Sequence, residues 1–263
     1  ITGTGADGTS SGMYGVGGSA SVGGLVGYSG TGKNRVSGAS TTGEVVEAGG
    51  SMVNVSGAYT TGAVTGRGGN GSSVWGAWGG YANVGGMVGY SSNGTVNIIG
   101  SYTTGAVTGT GGNASAYFYQ GTYGAWGGYA NVGGMVGYSS NGTLSIIDSY
   151  TTGAVTGTGG NAATNGWWGG AGDANVGGLV GYSGGTTNII NSYAMGAVTG
   201  TGGAMTLNNE YSSYGAWSWG GYAYAGGLVG YGSGTTNVIN SHATGAVIAT
   251  GGQNNLSYIG TSS

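Results

Sequence analysis

The sequence predicts an all-β fold, a parallel β-helix or β-solenoid of stacked repeats joined by aromatic-rich connectors. Three observations carry the prediction. A block reading GGLVGYSGGTTNIINSYAMGAVTG at 177–200 recurs at 85–109, 133–157 and 226–249, and its starts at Gly85, Gly133, Gly177 and Gly226 lie 48, 44 and 49 residues apart. A fixed period in this range marks stacked units, none of which buries its apolar face alone. Within each block, short β-prone pieces are separated by turn residues, and over 189–194 apolar residues partly alternate with small or polar ones, as in strands with one face inward. No window combines a 3.6-residue period with helix-forming composition.

Along the chain, 1–22 reads as an N-terminal edge segment, 23–249 as a single repeat domain and 250–263 as a C-terminal edge segment. The repeat domain opens with a divergent block at 23–48 and a half block at 52–66, then continues in four full blocks of 25, 25, 24 and 24 residues. The connectors 67–84, 110–132, 158–176 and 201–225 vary more, at 18, 23, 19 and 25 residues. A constant block is a coil whose circumference its neighbours fix, whereas a variable connector carries length changes outward. The connectors nevertheless end alike, in VWGAWGGYANV, TYGAWGGYANV, WWGGAGDANV and GAWSWGGYAYA, which points to a second strand layer.

Stacking at the strand spacing of about 4.8 Å sets equivalent residues above one another. One tyrosine column is expected from Tyr28, Tyr90, Tyr138, Tyr182 and Tyr231. A second runs through Tyr59, Tyr102, Tyr150 and Tyr193, beginning at Ser40 and ending at His242. Ile99, Ile147, Ile190 and Ile239 form an apolar column, and Asn83, Asn131 and Asn175 an amide ladder of the cross-β kind.

Composition excludes several classes. Of 263 residues 71 are Gly, and ordering them is entropically costly. Disorder is still disfavoured by 20 Tyr, 7 Trp and apolar residues at repeating positions, because disordered segments are poor in aromatics and rich in charge. Gly follows no three-residue period and Pro is absent, against a collagen-like helix. The net charge of −3 sets six acids against Lys33, Arg35 and Arg67, and without a basic stripe no nucleic-acid partner is expected. No apolar run approaches about 20 residues, so no membrane insertion is expected. The chain does not begin with Met and shows no signal peptide, which reads as a processed or excised segment. Nine charges make a poor cytosolic surface and the lack of Cys suits a secreted chain, so an extracellular or cell-surface location is expected.

GGLVGYS followed by NIINSYAMGAVTG resembles the GLUG motif, a short repeat of bacterial surface and secreted proteins that include filamentous-haemagglutinin-like adhesins. The resemblance covers four full and two imperfect copies, about half the chain. It implies an extracellular β-helical stalk or adhesin segment, and the aromatic connectors lie outside it.

Motifs that look catalytic dissolve on inspection. GYSGTGKN at 27–34 spaces Gly27, Gly32 and Lys33 like a phosphate-binding loop, but Asn34 stands where a Ser or Thr would hold the metal. Gly181-Tyr182-Ser183-Gly184-Gly185 has nucleophile-elbow spacing without a strand–turn–helix context, and the lone His242 falls in a tyrosine column. The acids Asp7, Glu44, Glu47, Asp148, Asp173 and Glu210 are scattered, not at metal-ligand spacing. No enzyme activity, cofactor or metal is expected.

The candidate contact residues are the connector aromatics Trp75, Trp78, Tyr119, Tyr123, Trp126, Trp167, Trp168, Tyr214, Trp217 and Trp219. Rings spaced by Gly can stack on sugars, pack against another chain, or form a second core of the repeat. The first functional expectation is a non-enzymatic structural protein that self-associates into a homopolymer, since the terminal segments offer only Asp7 and no Pro to block a strand edge. The alternative is an adhesin or stalk that grips a glycan or cell-surface receptor through the connectors. Thr rows such as Thr103 with Thr151 and Thr108 with Thr156 add a third reading, ice binding, with interruptions at Met195 and Ile248.

Overall fold

The computed structural model describes residues 1–258 apart from 11–12, 30–32, 38–39, 42–45, 49–51, 118–123, 167 and 210–216. The described strands pair in parallel and form seven sheets. Each repeat makes one coil, and each coil adds one strand to every sheet. In the second coil these are, from first sheet to seventh, Val64–Arg67, Gly71–Ser73, Gly76–Trp78, Ala82–Gly85, Val88–Ser92, Thr95–Ile99 and Tyr102–Thr103. The connectors therefore supply the second, third and fourth sheets. Their variable length falls between the second and third, where Gly71–Ser73 and Gly76–Trp78 nearly abut but Ala114–Ala116 and Ala125–Trp126 stand well apart.

The expected columns follow from the register. Tyr28, Tyr90, Tyr138, Tyr182 and Tyr231 pair rung by rung in the fifth sheet. Ser40, Tyr59, Tyr102, Tyr150, Tyr193 and His242 do so in the seventh. Ile99, Ile147, Ile190 and Ile239 line the outer side of the sixth, so this apolar column is a surface one; Ile99 is 43% exposed. The corner after that sheet needs a left-handed residue, supplied by Gly57, Gly100, Asp148, Asn191 and Asn240 at φ near +50 to +58°. Asn191 Nδ2 donates to Asp148 Oδ1 at 3.0 Å, so Asp148 is a turn and ladder residue.

Alternation divides the interior into three compartments. Leu, Met, Val and Ile of the fifth and sixth sheets and of the turn before the fifth, such as Met135, Leu144 and Ile146, fill the largest. Valines of the first and fourth sheets, including Val107 and Val132, fill the next. Small residues such as Ala77, Ala114 and Ala125 fill the third, with Met205 and Leu207. Full burial of such side chains stabilises by about 1.5–3 kcal/mol each for the larger ones.

Between the last two compartments runs a spine made of backbone alone. Gly69 N donates to Gly18 O, Gly80 N to Gly69 O, Gly112 N to Gly80 O, Gly128 N to Gly112 O and Gly160 N to Gly128 O, all at 2.8–2.9 Å. The zigzag continues through Gly172, Gly203, Gly221 and Gly252. Two segments of each coil approach so closely that these amides bond across the rod, and a Cβ on Gly128 would lie 2.0 Å from Gly80 O. The Gly-Gly pairs of the connectors are thus a packing requirement.

The N-terminal end departs from the simple stack. Val26–Ser29 and Met52–Ser56 occupy in the first coil the places of Val88–Ser92 and Thr95–Ile99 in the second. Between them the chain drops one rung: Lys33–Ser37 pairs beneath Met52–Ser56, Ser40–Thr41 beneath Tyr59–Thr60, and Val46–Ala48 beneath Val26–Ser29. The divergent and half blocks together supply one complete coil segment, with an insertion that underlies the fifth, sixth and seventh sheets. Lys33 and Arg35 lie on its Lys33–Ser37 strand and Glu47 on its Val46–Ala48 strand.

Candidate functional site

Where the fourth sheet turns into the fifth, the outer surface is concave. The groove there, of about 470 Å³, is walled by Tyr90, Tyr138 and Tyr182 on one side and by Tyr81, Tyr129 and Asp173 on the other. Asn83, Asn131 and Asn175 form its floor and are 3–6% exposed. Asn131 Nδ2 donates to Asn83 Oδ1 and Asn175 Nδ2 to Asn131 Oδ1, each at 2.8 Å, which gives these buried amides partners. In the next coil the ladder ends, because Tyr224 pairs with Asn175. Its ring meets Tyr231 edge-on at 5.0 Å, closing the groove at that end.

The aromatic rings stack along the rod. Centroids of Tyr90, Tyr138 and Tyr182 are 5.0 and 4.6 Å apart with planes within 8°, and Tyr81 stacks on Tyr129 at 5.3 Å. Ring faces inside a column are thereby covered by other rings, and the groove meets edges and hydroxyls. Among the connector tryptophans, Trp78 stacks on Trp126 at 5.1 Å and Trp168 on Trp217 at 6.2 Å. Trp219 pairs with Gly170, and its Nε1 lies 2.5 Å from where a Gly170 Cβ would be. Trp75 precedes a strand, its amide donating to Ser73 Oγ at 3.1 Å. Tyr119, Tyr123, Trp167 and Tyr214 lie outside the described residues.

Asp173 is the groove's carboxylate. It takes the place of Tyr81 and Tyr129 in their column, and its Oδ1 accepts the Tyr222 amide at 2.8 Å. Burial raises its pKa, against a smaller lowering by that hydrogen bond. Burial also raises Tyr129, with Asp173 adding repulsion to the phenolate. For an acid with a raised folded pKa, the folded state holds its proton more tightly, so stability falls as pH rises through and above the ordinary carboxylate range. Asp173→Asn keeps an acceptor for Tyr222. It is expected to raise the melting temperature at pH 7 and leave it nearly unchanged at pH 3, where both forms are neutral; thermal denaturation at the two pH values checks this.

The other chemical-looking motifs find structural roles. Lys33 opens a strand, Lys33–Ser37, where a phosphate loop would open a helix, and Gly32 lies outside the described residues. Ser183 is 1% exposed, with its Oγ hydrogen-bonded to Thr187 Oγ1. His242 stacks on Tyr193 at 5.5 Å. Among the described residues no three His, Asp or Glu side chains gather as a metal site.

The GLUG motif matches residues 172–199 and 221–248. No curated protein and no solved structure matches the chain. Each motif match starts just before a strand of the fourth sheet and ends in the first, so the motif is five of the seven strands of one coil. The second and third sheets, Met205–Asn209 and Trp217–Trp219 in this part of the chain, lie between the two matches. Among the described residues no helix is long and apolar enough to cross a membrane.

Proposed function

We propose that this GLUG-repeat chain is a non-enzymatic extracellular structural protein whose copies stack coil on coil into a filament. The observation that supports this reading is the fit between the two end surfaces. Among the described residues the first, second, fifth, sixth and seventh sheets have six strands, and the third and fourth have five. At one end the first and second sheets reach a rung further; at the other, the inserted layer extends the fifth, sixth and seventh. A second copy advanced by six rungs continues five of seven sheets without a gap. Without the insertion only the first two would meet. The register brings Thr2–Thr4 onto Ile248–Thr250 and Lys33–Ser37 onto Thr235–Ile239.

The surface to be covered is apolar. Val238, Val247 and Leu256 are 49%, 44% and 56% exposed, whereas Ile189, Val198 and Leu207 one rung below are at most 1% exposed. Burying three such side chains stabilises by a few kcal/mol, less than the roughly 4–15 kcal/mol that association costs. The strand-edge hydrogen bonds of five sheets must form together to close the difference, so assembly depends steeply on concentration. Val247→Lys places a charge in the junction, on the terminal rung of the first sheet. It is expected to hold the chain monomeric in sedimentation at concentrations where the parent chain sediments as polymer. Equal polymerisation of both would remove the end surfaces from the account.

The glycan-binding alternative draws support from the groove, whose hydroxyls and Asn floor repeat at about 4.8 Å. Because the ring faces are engaged in stacks, sugar contact there would run through hydroxyls and ring edges.

A further inference from the structure

The first sheet presents a surface that neither stacking nor the groove uses. Each of its strands contributes two outward residues flanking an inward small residue, glycine in five strands and Ala249 in the last. One outward column is Thr at five of six rungs, from Thr2 to Thr199, and ends at Ile248. The other is Thr at five of six rungs, from Thr4 to Thr250, interrupted by Arg67. The pairing carries no bulge, so the columns are straight. Rungs repeat at about 4.8 Å and the two columns stand about 6.6 Å apart, two residues along a strand. Exposed alanines such as Ala106 and Ala154 add a methyl column beside them.

The surface is also held flat and rigid. The glycine between the columns lies directly on the fourth sheet: a Cβ on Gly109 would be 2.4 Å from Val132 Cγ2, and one on Gly157 2.5 Å from Val176 Cγ2. Thr is stiff at χ1, and each Thr in the middle of the array is half-buried between its neighbours. The one charged side chain on the array, Arg67, lies 3.4 Å from Asn70 Oδ1. Thr103 and Thr151, which the sequence offered as a surface row, are 1% exposed and point inward. Met195 is likewise in a different column, beside Thr152. The surface array is more regular than the sequence suggested.

We propose that this threonine face binds ice. A rigid two-dimensional lattice of hydroxyls and methyls, almost free of charge, suits a crystal surface better than a flexible solute. The uncharged surface keeps no tightly held hydration that would have to be stripped. Its axial repeat of about 4.8 Å is close to the shorter oxygen repeat on a prism face of ice, so waters ordered along each threonine column can join the lattice. One Thr–water contact gains little net free energy over bulk water, but many contacts fixed in one frame act together, as linked weak sites do. The reading is independent of filament formation; stacking would lengthen the face along the rod without altering it.

The test is nanolitre osmometry on the full chain, scoring crystal shape and the gap between melting and freezing points. Faceted crystals and a measurable gap are expected. Thr156→Tyr, in a central rung, is expected to reduce the gap at least tenfold with circular dichroism and melting temperature unchanged. Ser145→Tyr, which places the same ring on the outer side of the sixth sheet, is expected to leave it intact. If Thr156→Tyr disturbs folding, Thr201→Lys on the same face gives the same reading. Rounded crystals without a gap would overturn the proposal, as would a gap that Thr156→Tyr and Thr201→Lys leave untouched. Retention on crystalline cellulose or chitin without ice shaping would overturn it in favour of a glycan lattice.

Discussion

Gly128→Ala is expected to destabilise the rod by about 3 kcal/mol or more, lowering the melting temperature by roughly 6–12 °C. The added methyl would stand 2.0 Å from Gly80 O and 2.9 Å from Gly79 O. These are backbone atoms that cannot rotate aside, so the two coils must separate. Separation stretches the spine bond that joins them, Gly112 N to Gly80 O, and the flanking bonds from Gly79 N to Trp126 O and from Ala82 N to Tyr129 O. In a rod whose stability is a sum over neighbouring coils, a fault in a middle rung also splits the unfolding transition. Calorimetry should therefore show two steps where the parent shows one. Two controls separate crowding from the general cost of replacing glycine. Gly251→Ala, where a Cβ meets nothing within 4 Å, is expected to be near neutral. Gly57→Ala has open space but φ +58°, and is expected to cost about 1 kcal/mol.

Ile146→Ala is expected to cost about 2–5 kcal/mol. Its side chain is fully buried in the largest compartment, with Ile98 and Ile189 directly below and above it in the register. The stacked neighbours are held by their own strand pairs and cannot collapse into the gap, which places the cost toward the upper part of that range. Ile147, one residue on, belongs to the outward column, and Ile147→Ala is expected to cost well under half as much. Denaturant titration of the two variants side by side reads the alternation of the sixth sheet directly.

Period and alternation made much of the fold legible. Repeats 44–49 residues apart fixed the stack, and aligned blocks placed Tyr90 over Tyr138 and Asn83 over Asn131 as the register has them. Two features stayed hidden for physical reasons. The Gly spine is a relation between backbone segments that no side-chain pattern records, although the recurring GG pairs in TGRGGN, WGGY and TGTGGN were its trace. The inserted layer was hidden because Lys33–Ser37 and Met52–Ser56 both pair in the sixth sheet, and alignment alone does not say which rung a copy occupies. Of the connector tryptophans, Trp78, Trp126, Trp168 and Trp217 are joined by stacking. Asp173, the groove carboxylate, does not stand out among six scattered acids, although the aligned connector ends set it in the column of Tyr81 and Tyr129.

The most direct test of the central claim is electron microscopy of the full chain across a concentration series, with the axial repeat measured from the images. Coil-on-coil stacking with a six-rung advance predicts unbranched filaments one rod wide. Their subunit repeat should be about 29 Å, over a strand reflection at about 4.8 Å. Isolated rods at every concentration, or filaments built side by side without that axial repeat, would contradict it.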